Sequence, residues 1–258
     1  MRRLLLVLVV ALSIVACDDP PKPAAPSATA PPAPAPPPPP PVATASAAPE
    51  RPKKRDAPCS KDPVVTFADA TLETAVRRQL QKASGPIQRA ELAKVRTLDL
   101  SQAAANDELD GCLIPLFTGV KGLYLAPGKL DDIAPLKGLT QLESLRLSIT
   151  QVKDLGPLGG LAKLDRLDLG RTPVSDIKPL AGCVSLTELQ LDQTEVSDLG
   201  PLAGLKKLTN LSVKRTKVSD VSPLKGLTKL KHLYIEGSLV KDVSALSGIP
   251  GLKVHEGS

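Results

Sequence analysis

Apolar residues in the C-terminal half of the chain recur with a period of 22 residues. A representative unit, LTELQLDQTEVSDLGPLAGLKK (residues 186–207), has apolar residues at unit positions 1, 4, 6, 11, 14, 17 and 20. The alternation around Leu189 and Leu191 predicts a short strand that points both leucines inward. The following VSDLGPLAGL predicts a turn and one helical turn that returns the chain. No unit can bury its leucines alone, so the units are predicted to stack around one continuous core. The units start at Val120, Leu142, Leu164, Leu186, Leu208, Leu230 and Leu252.

A different pattern precedes the repeats. In FADATLETAVRRQLQK (residues 67–82), Leu72, Val76 and Leu80 lie four residues apart and Asp69 is placed as a cap, which predicts one amphipathic helix. A Gly-Pro break and a short second helix are predicted next. The alternating leucines of RTLDLS (residues 96–101) then predict the first strand.

The 22-residue pattern resembles the leucine-rich repeat of bacterial internalin-like proteins, and the helical segment at residues 66–94 resembles their N-terminal cap. The resemblance implies an α/β solenoid with short parallel strands on a concave face and short 3-10 or helical turns on a convex face. Residues 59–119 are then the helical cap and an irregular first repeat, and residues 120–258 are six full units and a truncated seventh. For function it implies only a binding scaffold, because such solenoids host many partners.

The N-terminus predicts an export signal. Arg2 and Arg3 precede an apolar run of 13 residues, a length that suits a signal peptide and is short for a membrane span, which needs roughly 20. The run ends in IVAC (residues 14–17), which resembles the lipobox of bacterial lipoproteins. That resemblance implies removal of residues 1–16 and lipidation of Cys17. Ordinary cleavage after residue 16 and an uncleaved anchor are the alternatives.

Residues 17–58 are predicted to be a disordered, proline- and alanine-rich tether. Residues 18–58 contain 16 of the 27 prolines of the chain, which favours a semi-rigid polyproline II spacer over a packed core. The protein is therefore expected at the bacterial cell envelope, held to a membrane by lipid on Cys17. Asp18 resembles the inner-membrane retention signal of enteric lipoproteins, but this rule varies between bacteria and leaves the choice of membrane open.

Charge and composition exclude several function classes. The net charge of +6 is spread among interleaved acids and bases, whereas a nucleic-acid-binding protein concentrates basic residues on one face, so no nucleic-acid partner is predicted. The two histidines, His232 and His255, have no acid placed to orient them. We therefore predict that the protein is not an enzyme, with no catalytic residues and no cofactor.

One aspartate recurs at unit position 13, just before each helical turn. An acid there can accept a hydrogen bond from a backbone N–H, whereas a calcium site needs several acids within one loop and each unit offers one. The column is predicted to be structural, with no metal. It comprises Asp132, Asp154, Asp176, Asp198, Asp220 and Asp242. A threonine at unit position 9 is likewise predicted to satisfy backbone groups at the strand exit; these are Thr150, Thr172, Thr194 and Thr216.

The cysteines are assigned by context. Cys59 and Cys112 flank the N-terminal cap of a protein bound for an oxidising compartment, so a disulfide between them is the preferred prediction and two unrelated thiols are the alternative. Cys183 replaces a repeat leucine or isoleucine and is interpreted as a buried apolar residue.

The outward-facing strand positions form the predicted binding surface, and both tyrosines of the chain lie there. Aromatic and arginine side chains are typical interface anchors. The predicted partner-binding residues are Tyr124, Arg146, Arg166, Asp168, Asn210, Lys214, His232, Tyr234 and Glu236. The main hypothesis is that this surface binds a protein partner at the envelope. The alternative is that these side chains only face solvent.

Two other functions stay open. One is assembly with another copy or subunit through the open end near Leu252 and Val254. The other is binding of an anionic envelope polymer through a basic set comprising Arg171, Lys214, Arg215 and Lys217. The sequence does not distinguish the oligomeric state.

Overall fold

The computed structural model describes residues 59–103 and 107–257. These lie in one compact unit, Ala57–Ser258. The predicted signal peptide, Cys17 and the proline-rich tether fall outside the described residues. Within the described part, no helix combines the length and the apolar character needed to cross a membrane.

The N-terminal part of the described residues contains one α-helix, α1 (Ala70–Leu80), between two short antiparallel strands, β1 (Val64–Val65) and β2 (Ile87–Gln88). The helix begins where predicted because the Asp69 carboxylate accepts hydrogen bonds from the backbone N–H groups of Thr71 (2.7 Å) and Leu72 (3.3 Å). Leu72 and Val76 are buried. The predicted second helix is a 3-10 helix, Arg89–Lys94.

The remaining strands form one parallel sheet in chain order. They are β3 (Thr97–Leu100), β4 (Gly122–Leu125), β5 (Ser144–Arg146), β6 (Arg166–Asp168), β7 (Glu188–Gln190), β8 (Asn210–Ser212), β9 (His232–Tyr234) and β10 (Lys253–His255). Seven 3-10 turns alternate with them, at Ile114–Leu116, Ala134–Leu136, Gly156–Leu158, Lys178–Gly182, Gly200–Gly204, Ser222–Gly226 and Ser244–Leu246. This is the predicted leucine-rich-repeat solenoid of parallel strands and short 3-10 turns.

The pairing register of the strands explains how the leucines fill the core. From β4 to β9 every strand pairs with the next at a spacing of 22 residues, so equivalent leucines lie side by side. The leucines at unit position 4 are all almost completely buried; they are Leu123, Leu145, Leu167, Leu189, Leu211 and Leu233. One apolar column therefore runs through the sheet, because each unit covers the leucines of its neighbour.

The last strand departs from this spacing. β10 pairs with β9 at 21 residues, with Lys253 opposite His232 and His255 opposite Tyr234. An unbroken 22-residue repeat would place Glu256 opposite Tyr234. The seventh unit thus does not continue the register of the first six. As a result, the imidazole of His255 and not the carboxylate of Glu256 lies opposite Tyr234.

The aspartate column forms backbone turns. Asp198 Oδ1 accepts a hydrogen bond from the N–H of Gly200 at 2.7 Å, and the other five aspartates accept from the residue two positions ahead at 2.7–2.9 Å. The backbone places the N-cap of this 3-10 turn at Leu199, so the aspartate precedes the cap by one residue and closes an Asx turn. Among the described residues, no three His, Cys, Asp or Glu side chains come together in a way that could hold a metal ion.

Serine strengthens two of these turns. The backbone N–H of Ser222, which has the larger effect, and its hydroxyl both donate hydrogen bonds to Asp220 and lower the pKa of this carboxyl. Ser244 lowers the pKa of Asp242 in the same way. Because both donors favour the ionised form, the contribution of these turns to stability is present at neutral pH and is lost as the pH falls through the lowered pKa.

We expect Asp198→Ala to lower the melting temperature by about 2–4 °C, because the turn loses its acceptor. Asp198→Asn is the matched control and should melt within about 1 °C of the wild type, since the amide oxygen still accepts the hydrogen bond. Thermal unfolding followed by circular dichroism measures both. A large drop in melting temperature after treatment with a chelator would instead support a metal-binding column.

Threonine closes the exits of strands β5 to β8, as predicted. The hydroxyl of Thr194 donates to the carbonyl of Leu191 at 2.6 Å, and the three equivalent threonines donate at 2.7 Å. The residue before each of these threonines has a left-handed backbone, with φ between 53° and 60°; these residues are Ile149, Arg171, Gln193 and Arg215. Non-glycine residues rarely adopt this conformation, and the sequence pattern gave no sign of it.

The predicted disulfide is present between Cys59 and Cys112, with their Cα atoms 5.4 Å apart. It ties the chain ahead of α1 to the segment before β4. Cys183 is a buried free thiol, and burial raises its pKa to about 11. This thiol is therefore protonated at neutral pH and packs as an apolar side chain.

Candidate partner-binding face

The outward side chains of β4–β10 and the residues just after each strand form one exposed surface, which we call the strand face. Strand geometry alternates side chains between the core and this face. The strands hold the face rigidly, because the inward leucines on the same strands are buried. Two of the grooves on it have similar volumes, and a larger depression adjoins one of them.

The N-terminal groove has a volume of about 320 Å³ and centres on Tyr124 and Arg146. The guanidinium carbon of Arg146 lies 5.8 Å from the centre of the Tyr124 ring, within the range of a cation–π contact. Arg146 also approaches Asp168, with Nε and Oδ2 3.6 Å apart. Arg166 pairs with Glu188 on the next strand at 3.7 Å. The predicted residues Tyr124, Arg146, Arg166 and Asp168 all line this groove.

The C-terminal groove has a volume of about 310 Å³ and centres on Tyr234. The Lys214 ammonium lies 4.9 Å from the centre of the Tyr234 ring and 3.0 Å from a carboxylate oxygen of Glu236. On its other side the Tyr234 ring stacks on His255, with centres 4.3 Å apart and planes at 13°. The tyrosine is thus held between neighbouring side chains and remains partly exposed.

The predicted partner-binding residues are divided between the two grooves. Asn210, Lys214 and Tyr234 line the C-terminal groove, and Glu236 lines an adjoining depression with Lys214. His232 lines neither groove but contacts His255. Because β4 and β9 are five strand spacings apart, the two tyrosines lie about 24 Å from each other. They cannot form a single pocket, but Glu188 and Gln190 line both grooves and make the surface continuous.

Sequence reasoning missed Glu188, Gln190, Asp192 and His255. Gln190 and Asp192 stand at outward positions and could have been chosen on that ground alone. Asp192 accepts a short hydrogen bond from the Ser212 hydroxyl (2.5 Å) and one from the Lys214 backbone N–H (3.0 Å), which fixes the groove floor. His255 could not be found from the repeat, because its position depends on the changed register of β10.

The charges of the strand face are largely paired with each other. Lys214 of the basic set pairs with Glu236, and Lys217 pairs with Glu195 at 3.4 Å. In the described chain, Arg171 and Arg215 form no ion pair, but they line a depression that also contains three carboxylates, those of Asp192, Glu236 and Glu256. The face therefore has mixed charge and no continuous basic stripe.

Three comparisons place the chain among known proteins. The family described as Leucine Rich repeats (2 copies) matches residues 140–182. A search of curated proteins returned no significant match. An internalin of Listeria monocytogenes is similar in structure, with a TM-score of 0.65 and 31% identity over 73% of this chain. The match covers 56% of that internalin, so this chain spans little more than half its length.

Two further solved structures are similar. Internalin C2 of Listeria monocytogenes has a TM-score of 0.60 and 30% identity, and the match covers 74% of this chain and 94% of that one. A leucine-rich-repeat protein of Leptospira interrogans has a TM-score of 0.57 with 19% identity, covering 64% of this chain and 44% of that one, and shares the fold. With its 22-residue repeats, its parallel sheet and its similarity to nearly the whole of internalin C2, the chain belongs to the internalin-like family of leucine-rich-repeat proteins.

Proposed function

We propose that this protein is a non-catalytic scaffold that binds a protein partner through its strand face, with the C-terminal groove as the main contact. The observation that carries the proposal is the placement of the two tyrosines. Both lie on the strand face, each has a cation against its ring, and each borders a groove. Partly exposed aromatic rings held in place by neighbours are suited to act as interface anchors, because little side-chain entropy is lost on binding.

The charge pattern favours a protein over an anionic polymer. A polyanion would have to compete with the acids that pair with Lys214 and Lys217. The side-chain amides of Gln190 and Asn210 form no hydrogen bond with other described residues, so they can donate to and accept from a polypeptide. Binding that weakens steeply with added salt would support the polymer alternative. A particle mass that rises with concentration would support assembly between copies.

We expect Tyr234→Ala to weaken partner binding at least tenfold, because a buried aromatic anchor contributes about 2 kcal/mol or more to an interface. The partner is first captured by crosslinking in native envelopes, and its affinity for purified variants is then measured by calorimetry. The melting temperature of the variant should stay close to that of the wild type, since Tyr234 lies outside the leucine core.

Val184→Ser is the matched control, because Val184 is exposed and lies on the turn side, away from the strand face. It should bind like the wild type. Wild-type affinity of Tyr234→Ala together with loss of binding in Val184→Ser would show that the partner uses the opposite surface.

We further propose that the scaffold is exported and held at the bacterial envelope by lipid on Cys17, with the proline-rich segment as a spacer. The support is the arrangement of Arg2, Arg3, the apolar run and the IVAC motif. One acyl chain binds membranes marginally, whereas several chains on one cysteine hold a protein firmly. Cys17→Ser should therefore move the protein to the soluble fraction or leave it unprocessed. Unchanged fractionation and an unchanged mature mass would contradict the anchor.

A further inference from the structure

The two histidines of the chain, His232 and His255, meet across β9 and β10. Nδ1 of His232 lies 3.3 Å from Nε2 of His255, and the ring centres are 5.6 Å apart with planes at 24°. The centre-to-centre distance exceeds the nitrogen–nitrogen distance by about 2.3 Å, which is about twice the distance from the centre of an imidazole ring to one of its atoms. The two nitrogens therefore lie close to the line that joins the ring centres, and the rings meet edge to edge.

This contact requires a single proton between the two nitrogens. A neutral imidazole has one donor and one acceptor nitrogen, whereas the protonated ring has two donors. The contact therefore suits a neutral pair or a pair with one positive charge. With both rings protonated, N–H faces N–H and the hydrogen bond is lost.

A metal ion would need further ligands beside this pair, because protein metal sites usually combine three or four donor side chains. Among the described residues, no third His, Cys, Asp or Glu joins the two histidines in a group that could hold a metal ion. The contact at 3.3 Å is therefore read as a hydrogen bond.

In the described chain, the neighbouring carboxylates do not pair with the two imidazoles. Lys214 follows β8 and Glu236 follows β9, and the Glu236 carboxylate pairs with Lys214. Strand β10 contributes Lys253, directly opposite His232, and is followed by Glu256. Within the described chain neither imidazole forms an ion pair with an acid. Lys231 adds a further positive charge beside His232 in the sequence.

We propose that His232 and His255 form a pH-dependent latch that holds the His255 ring against Tyr234 and releases it when both imidazoles are protonated. Separated rings bind one more proton than the joined pair, so acid shifts the equilibrium towards separation. Histidine is the side chain whose ordinary titration falls between pH 5 and 8, which sets the pH range of the test below. Release removes the stacked support of Tyr234. The consequence for partner binding rests on the proposed function, because Tyr234 is the proposed anchor.

The latch can be tested without a partner. The chain has two tyrosines and no tryptophan, so Tyr124→Phe leaves Tyr234 as the sole tyrosine and its fluorescence as the signal. Acrylamide, a neutral quencher, is used to measure exposure of the ring at about pH 7.5 and about pH 5.0, on either side of ordinary histidine titration. We expect the quenching constant to rise about twofold at the lower pH, as the stacked face of the ring becomes accessible.

His255→Phe in the same Tyr124→Phe background is the matched control. Phenylalanine keeps an aromatic ring against Tyr234 but cannot take up a proton, so quenching should be the same at both pH values. His232→Phe removes the other imidazole and should also abolish the rise. Circular dichroism at both pH values checks that each variant is folded.

Equal quenching of the Tyr124→Phe protein at both pH values would overturn the latch, and so would the same rise in the folded His255→Phe and His232→Phe variants. Either result would leave the proposed scaffold function intact, because no partner takes part. A failed binding test with Tyr234→Ala would, in turn, leave the latch intact.

Discussion

Leu211→Ala is expected to lower the free energy of unfolding by about 3–5 kcal/mol, in the range of other leucine truncations in tightly packed cores. Leu211 lies on β8 between Leu189 and Leu233 and is completely buried. The shared register holds the neighbouring strands in place, so they cannot move into the space that the missing atoms leave. The loss of packing therefore persists as a cavity, which adds to the loss of apolar burial.

Urea unfolding monitored by circular dichroism measures this change. Leu239→Ala is the matched control, because it removes the same atoms from a side chain that is 58% exposed, and it should change stability by less than about 0.5 kcal/mol. Similar losses in the two variants would mean that burial in the leucine column does not determine the stability of the solenoid.

Opening the Cys59–Cys112 disulfide is expected to cost about 4 kcal/mol. The bond closes a loop with a sequence separation of 53 residues, and a cross-link of this span removes on the order of 4 kcal/mol of conformational entropy from the unfolded chain. The loop contains α1 and β3, so its loosening should expose the first strand of the sheet. The prediction is tested by urea unfolding of the oxidised and reduced wild-type protein.

Replacing both Cys59 and Cys112 by serine provides the control, because this variant should unfold at the same urea concentration with or without reductant. Cys183 remains in both proteins and is buried, so its thiol does not distinguish them. An unchanged unfolding midpoint on reduction of the wild type would show that the N-terminal segment contributes little to the stability measured.

The repeat units could be predicted from the sequence because their structure depends on local patterns. Leucines two residues apart indicated the strands, and an aspartate two residues before each 3-10 turn from Ala134 onward indicated the turns. Asp198 shows the limit of such reasoning: its acceptor role was predicted, but its position one residue before the cap depends on backbone angles. The left-handed conformation of Ile149 and Arg171 has no signature in their side chains, and position 8 of the unit imposes it.

The candidate surface was predictable in outline only. Alternation within each strand was enough to place Tyr124 and Tyr234 outside. It could not divide the predicted residues between two grooves, because that division depends on which neighbours fill the space between them. The pairing of Lys214 with both Tyr234 and Glu236 depends on side-chain conformations across two strands. The position of His255 depends on a change of register that no repeat pattern contains.

The uniform 22-residue register from β4 to β9 makes each repeat a self-contained module. Removing residues 186–207 as one block would bring Leu167 beside Leu211, the same kind of neighbours that meet at every other junction. Gain or loss of whole modules would therefore lengthen or shorten the surface by about 4.8 Å per unit without a new kind of core contact. On each strand, the inward residues pack in the core and the residues between them face outward. Substitutions at the outward positions can therefore change what the surface binds while the core stays the same.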